Sequence, residues 1–249
     1  KESFLSLITD RILCVSNSVH DFLLTKQIFV KSRLTVIYNG VRTPDGDGGP
    51  VMPNELPIEN IGNRYPVIGI VASLTLNKGH VSLLHAFKEV SAKYPQAALL
   101  IVGDGPERGV LVKLAESLCI QSSIFFCGIQ QNVFPYILAM DVFVLSSTGR
   151  EGLPCTIIEA MAMGKPIVAS NLHGIPEAVQ DMVNGILFSP GESREMASAL
   201  LKLTADRILS AKLGENGRKL YMEKFTFALM MRNLEKVYLE IIGRRLARV

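Results

Sequence analysis

From residue 65 to the C-terminus, short apolar runs alternate with stretches of helical period almost without interruption. YPVIGIVAS, QAALLIVG, SIFFCG, DVFVLSS, PIVAS and GILFS are near-continuous in apolar residues and bounded by turn residues. Between them VSLLHAFKEVSAKY, ERGVLVKLAESL, VFPYILAM, CTIIEAMAMG and IPEAVQ read as helices. SREMASALLKLTAD, RILSAKLGENGRKLYMEK and TFALMMRNLEKVYLEIIGRR close the chain as three more. A strand that loses its in–out alternation is covered on both faces. Strands alternating with helices feed a parallel, doubly wound sheet, so the expected class is α/β.

Upstream, RILCVS and RLTVIYNGV read as strands flanking the helix SVHDFLLTKQ, and ESFLSLITD reads as a helix end. With no initiator methionine, this opening reads as the last βαβ unit of a preceding domain, and a fragment is expected. RTPDGDGGPVMPNELPIENIGNRYP is rich in Gly, Pro, Asp and Asn, has no period, and reads as a linker. The expected division is 1–41 for the end of an N-terminal domain, 42–64 for the linker, 65–225 for the main domain and 226–249 for a final helix.

Composition excludes several classes. With 48% hydrophobic and 20% charged residues the chain can bury a sizeable core. A net charge of +3 is too small to argue for nucleic acid. The apolar runs are too short to span a bilayer. Cys14, Cys119, Cys127 and Cys155 form no C-x-x-C pair, no histidine stands at ligand spacing to them, and they read as reduced thiols of a cytoplasmic protein. No metal site is expected.

Doubly wound sheets bind ligands outside the carboxyl ends of their strands. The loops there read SLTLNKG, GDGPE, GIQQN and STGREGLP. In the first, Lys78 beside Gly79 can reach a phosphate. The second is no dinucleotide fingerprint, because it follows the second strand and Arg108 stands where a third glycine belongs; Gly103 and Gly105 read as a tight turn that keeps side chains out of the cleft. In the third, Gly128 and the main chain of Ile129 can read a base edge. In the fourth, EGLPCTIIE places Glu151 at the turn and Glu159 inside an apolar helix, where a lone carboxylate is costly. The amides of Leu153, Cys155 and Thr156 lie at the helix start, a natural anion site, and Pro154 suits a first turn. Carboxylates around an anion site suit a ligand bearing both hydroxyls and phosphate, such as a sugar nucleotide.

The stretches ASLTLNKGH, LLIVGDGPE, FFCGIQQN, DVFVLSS, EGLPCTIIEAMAMGKPIVAS, HGIPEAV and NGILF, in this order, resemble the retaining glycosyltransferases of family four, which adopt the GT-B fold. The resemblance implies two facing Rossmann-like domains, this chain supplying the C-terminal, donor-binding half plus a remnant of the other, with the final helix crossing back. It implies Lys78 on the donor phosphates, Glu151 facing the transferred sugar, Glu159 on the ribose, and Gly152, Leu153, Pro154, Cys155 and Thr156 around sugar and diphosphate. Two positions depart from the pattern. Ser73 stands at a donor-side position where the family usually has arginine, and His173 where glycine is common.

The implied reaction moves a hexose from a nucleoside-diphosphate sugar to an acceptor hydroxyl with retention, without metal or other cofactor and with UDP-sugars favoured. The partners implied are the nucleotide sugar and a carbohydrate or lipid-linked acceptor, not nucleic acid. The location implied is the cytoplasm, with peripheral contact to the inner face of a membrane open to the full-length protein. The fragment alone is expected to be inactive. Two alternatives stand beside this: a sugar-nucleotide 2-epimerase of the same fold, and a non-catalytic nucleotide-sugar-binding module, which Ser73 motivates.

Overall fold

The structure, a computed structural model, describes residues 9–26, 31–44, 58 and 61–247. The expected linker lies largely outside the described residues, as does most of the expected first helix end.

Six strands form one sheet: β3 (Val67–Val71), β4 (Ala98–Val102), β5 (Ile124–Gly128), β6 (Val142–Leu145), β7 (Ile167–Ser170) and β8 (Ile186–Phe188). All neighbours are parallel, in the order β5-β4-β3-β6-β7-β8. The chain winds outward from β3 in one direction, then returns to lay β6 against β3 and winds the other way. The crevice for ligands in such a sheet opens between β3 and β6, where the winding reverses.

The apolar strands divide their side chains between two cores. Ile68, Ile70, Leu99, Ile101, Val142, Val144 and Val168 face one. Val67, Val71, Leu100, Phe143, Leu145, Ile167 and Ala169 face the other. This two-sided burial is why the runs show no polar alternation. On the first face α2 (His80–Lys93) packs against α7 (Ser193–Ala205); on the second, α5 (Cys155–Ala162) packs against α8 (Arg207–Lys224). Helices α3 (Arg108–Ser117), α4 (Phe134–Ala139) and α6 (Ile175–Ala178) complete the layers. Phe87 and Phe143 are fully enclosed, so truncating either to alanine costs about 3–5 kcal/mol.

A second, two-stranded parallel sheet pairs β1 (Ile12–Cys14) with β2 (Leu34–Val36), joined through α1 (Asn17–Thr25). RLTVIYNGV was expected to be strand throughout, yet the ladder stops at Val36. Beyond it the apolar side chains pack across to the junction of α8 with α9 (Phe227–Leu246). Tyr38 sits edge-on to Phe225 at 5.5 Å between ring centres. Val41 N–H donates to Phe225 O (3.0 Å), and Phe227 N–H donates to Val41 O (3.1 Å).

Side-chain caps set the starts of the two helices that flank the small sheet. Ser16 accepts from Val19 N–H at the start of α1, and Thr226 from Leu229 N–H at the start of α9. No residue of α9 is fully buried. It lies along the small sheet, with Arg245 on Asp10 and Glu240 at 3.8 Å from Arg11. Among the described residues no helix is long and apolar enough to cross a membrane.

Candidate functional site

The loops after β3 and β6 meet at the crevice because their backbones are sewn together. After β3 a single 3-10 turn, Leu76–Lys78, ends at Gly79 with φ 68°, in the left-handed region. A Cβ there would overlap the Ser146 carbonyl oxygen, so only glycine permits the approach. Asn77 O accepts from Thr148 N–H (2.8 Å) and Gly149 N–H (3.0 Å), and Ser146 Oγ donates to Lys78 O (2.8 Å).

This seam brings Lys78 and Glu151, 73 residues apart in sequence, into one ion pair, Nζ on Oε1. Ser147, fully buried at the end of β6, donates its hydroxyl to the same oxygen at 2.5 Å. Glu151 is thus held by a cation on one side and a hydroxyl on the other. Sequence reasoning did not find Ser147. Its only signal is a pair of serines ending an apolar strand.

Glu159 stands in α5. No side chain caps this helix, and its N-cap position is Pro154, with φ −65° and ψ 118°. Pro154 therefore precedes the first turn, where sequence reasoning had placed it inside. The first amides of a helix have no intrahelical partner, which leaves those of Cys155 and Thr156 open. Glu159 Oε2 is buried and, among the described residues, has no hydrogen-bond partner, and burial pushes its carboxyl above the ordinary 4.5. Burial, and secondarily the Glu159 charge, also pushes the Cys155 thiol up.

The other loops frame this centre. Gly103 and Gly105 do not guard the cleft: Cβ atoms there would overlap the carbonyl oxygens of Ala72 and Leu74. Leu74 N–H donates to Asp104 O (3.0 Å) and Glu107 N–H to Leu74 O (3.0 Å), so the GDGPE loop braces the Lys78 loop. Gly128 turns at φ 66°, and Ile129 beyond it is exposed. It lies two strand spacings, roughly 10 Å, from β3 along the same edge. Ser73 bonds within its own loop, to Thr75 Oγ1 at 3.4 Å. His173 adopts φ 49°, which explains why glycine suits that turn.

His80 is enclosed at the start of α2, and among the described residues neither ring nitrogen has a partner. Burial, then the charge of Lys78, pushes its imidazole down to about 4. The unfolded chain therefore takes up this proton first as pH falls below 6.5. Wild-type protein is expected to lose about 2 kcal/mol more stability between pH 7 and pH 5 than a His80→Leu variant, as checked by denaturant unfolding. Equal slopes for the two proteins would contradict it.

Glu177, near the end of the short α6, reaches the other lobe. Oε2 accepts from Asn17 N–H (2.8 Å), Asn17 Nδ2 (2.8 Å) and Tyr38 Oη (3.1 Å), and Oε1 accepts from Ser18 N–H (2.8 Å). A carboxylate of the large sheet's layer thus caps the first helix of the small one.

The sequence profile of the family described as Glycosyl transferases group 1 matches residues 52–220. The lipopolysaccharide core biosynthesis glycosyltransferase LpsE of Rhizobium meliloti is 29% identical over 88% of this chain and 61% of that protein. A GDP-mannose-dependent phosphatidylinositol monomannoside mannosyltransferase of Mycolicibacterium smegmatis is 31% identical over 76% of this chain and 50% of that protein. The chain thus spans less than two thirds of these relatives. Among solved structures, a Rickettsia africae glycosyltransferase superposes with a TM-score of 0.82 at 23% identity, over 97% of this chain and 66% of that one. Anabaena HepE, in complex with UDP and glucose, gives 0.79 at 24% identity, over 92% and 62%. At these identities the likeness is one of fold.

Proposed function

The chain belongs to the group 1 glycosyl transferases, and from that premise we propose that it is the donor-binding part of a retaining hexosyltransferase acting on a nucleoside-diphosphate sugar, UDP-sugars first. The observation that carries this reading is Glu159 Oε2, a buried acceptor without a partner among the described residues, beside the uncapped start of α5. A buried carboxylate left unsatisfied is costly, and a ribose diol supplies two donors to it.

The edge of the sheet suits the rest of the ligand. The base lies at Gly128 and Ile129 and the diphosphate between Lys78 and the amides of Leu153, Cys155 and Thr156. The transferred sugar faces Glu151, with Gly152 and Pro154 shaping the turn and Ser73 on the rim. Lys78 is paired with Glu151 in the free site. An arriving diphosphate competes for the ammonium, and Glu151 then turns its oxygens to sugar hydroxyls while Ser147 keeps it placed. As the anomeric bond breaks, the sugar carries oxocarbenium character and negative charge grows on the departing diphosphate. Lys78 and the helix-start amides are fixed where that charge appears.

Titration calorimetry with UDP tests the site. Glu159→Ala is expected to weaken binding about 10- to 100-fold, the worth of hydrogen bonds to a charged group. Glu159→Gln has a second signature. Because burial raises the Glu159 pKa, the folded state binds the proton more tightly, and the charge costs stability at every pH above 4.5. The glutamine variant is therefore expected to melt higher than wild type at pH 7, with the advantage gone below pH 4.5, while binding UDP less well. UDP affinity indifferent to residue 159 would remove the basis of this assignment.

A further inference from the structure

Arg150 directly precedes Glu151, and its guanidinium lies over the Phe22 ring of α1, 4.2 Å from the ring centre. Among the described residues it forms no ion pair. A guanidinium stacked on a ring keeps its in-plane N–H donors free, in the fork that fits a carboxylate or phosphate. Arg150, Phe22, Ser18, Glu151, Gly152 and His173 line a cavity of about 190 Å³ between α1 and the large sheet.

Two further features mark this cavity as used. His173 holds a left-handed backbone, φ 49°, where glycine would sit without strain, and the residue is part of the wall. A strained conformation of this kind costs on the order of 1 kcal/mol and concentrates at functional positions. The charges also fail to cancel. Lys78 already neutralises Glu151, and neither Lys78 nor Ser147 lines the cavity. Arg150 is left as an excess positive charge on the α1 side of Glu151. Glu151 is shared between the two features, pairing with Lys78 and lining the cavity that Lys78 does not reach.

We infer that this cavity is the acceptor subsite, that it takes a sugar bearing an anionic group, and that Arg150 is the specificity-determining residue that forks onto that group. The assignment rests on reading the Lys78–Glu159 edge as the donor site. The subsite is built from α1 as much as from the large sheet, so it exists only while the two lobes are held together.

The test titrates the 249-residue chain, saturated with UDP, with three probes: methyl glucuronide, glucose 6-phosphate and methyl glucoside. An anionic probe is expected to bind at least about 10-fold tighter than the neutral one, the worth of one charge-assisted pair. Which of the two binds better tells carboxylate from phosphate. Arg150→Gln should erase the preference without changing UDP affinity, Arg150→Lys should keep part of it, and Phe22→Leu should weaken it. Equal binding of all three probes, or of none, overturns the assignment. A loss of UDP affinity in Arg150→Gln overturns it too, because Arg150 would then serve the diphosphate in place of the arginine missing at Ser73. Failure of wild-type protein to bind UDP removes the donor reading itself, and this subsite with it.

Discussion

Replacing Lys78 with alanine is expected to cut turnover of the full-length transferase by about 100- to 1,000-fold, the loss seen when one preorganised oxyanion donor is removed. The effect should sit at the upper end because Ser73 offers no second cation on this edge. It should also carry a cost in the free protein. Glu151 is largely enclosed, and taking away the ammonium leaves its charge supported by Ser147 alone. Removing one partner of a buried pair destabilises by several kcal/mol. With Lys78 partly open to solvent, about 2 kcal/mol is expected here. The two losses separate in a double variant. Glu151→Gln added to Lys78→Ala should restore the melting temperature, because no lone charge remains, yet leave turnover low. Single-turnover kinetics and thermal unfolding on the four proteins of that cycle decide it. Unchanged turnover in Lys78→Ala would end the role given to this residue.

Glu177→Ala should cost about 3 kcal/mol of stability. Each hydrogen bond to a charged group is worth roughly 1.5–3 kcal/mol, but the four at Glu177 share one carboxylate and their donors regain water when it is lost. For a chain of this size that is a fall in Tm of about 6–12 °C. Amide exchange gives the sharper reading, because the protection of Asn17 and Ser18 should drop while that of β3 and β4 stays. Glu177→Gln, which keeps one carbonyl acceptor, should fall between. A Tm within a degree of wild type for Glu177→Ala would show that α1 is held by its apolar contacts.

The alternation of strands and helices was readable because each strand of the large sheet is covered on both faces, and such runs can hardly be anything else. Lys78 and Glu151 stood out singly for a related reason, as polar residues at the carboxyl ends of buried strands, but that they pair with each other was not legible. Glu177 was not. It sits in IPEA as an ordinary acid in a helical turn, and its partners are 139 to 160 residues away. Ser147 and Phe22 were hidden likewise, since a serine or a phenylalanine declares its role only through what lies opposite. The strand expected through Val41 failed because the same apolar residues that build a ladder also build a seam between lobes. The glycines of GDGPE show the reverse case, a pattern seen correctly and explained wrongly. They admit a neighbouring backbone instead of clearing room for a ligand.

The chain passes out of the small lobe at Val41 and returns to it at Thr226, and these two passages are bonded to each other through Val41, Tyr221, Phe225 and Phe227. Two crossings side by side make an axle. Sliding one lobe past the other would break the bonds between the crossings, whereas rotation about them breaks none. Glu177 ties α1 to the large sheet as a latch, and through Tyr38, whose ring rests on Phe225, it reaches back to that axle. When the latch lets go, the mouth between Arg150 and Phe22 has one easy way to widen, and displacement grows with distance from the pivot. The bonds at α1 thus oppose that widening, while those at Val41 and Thr226 hold the line about which it would turn.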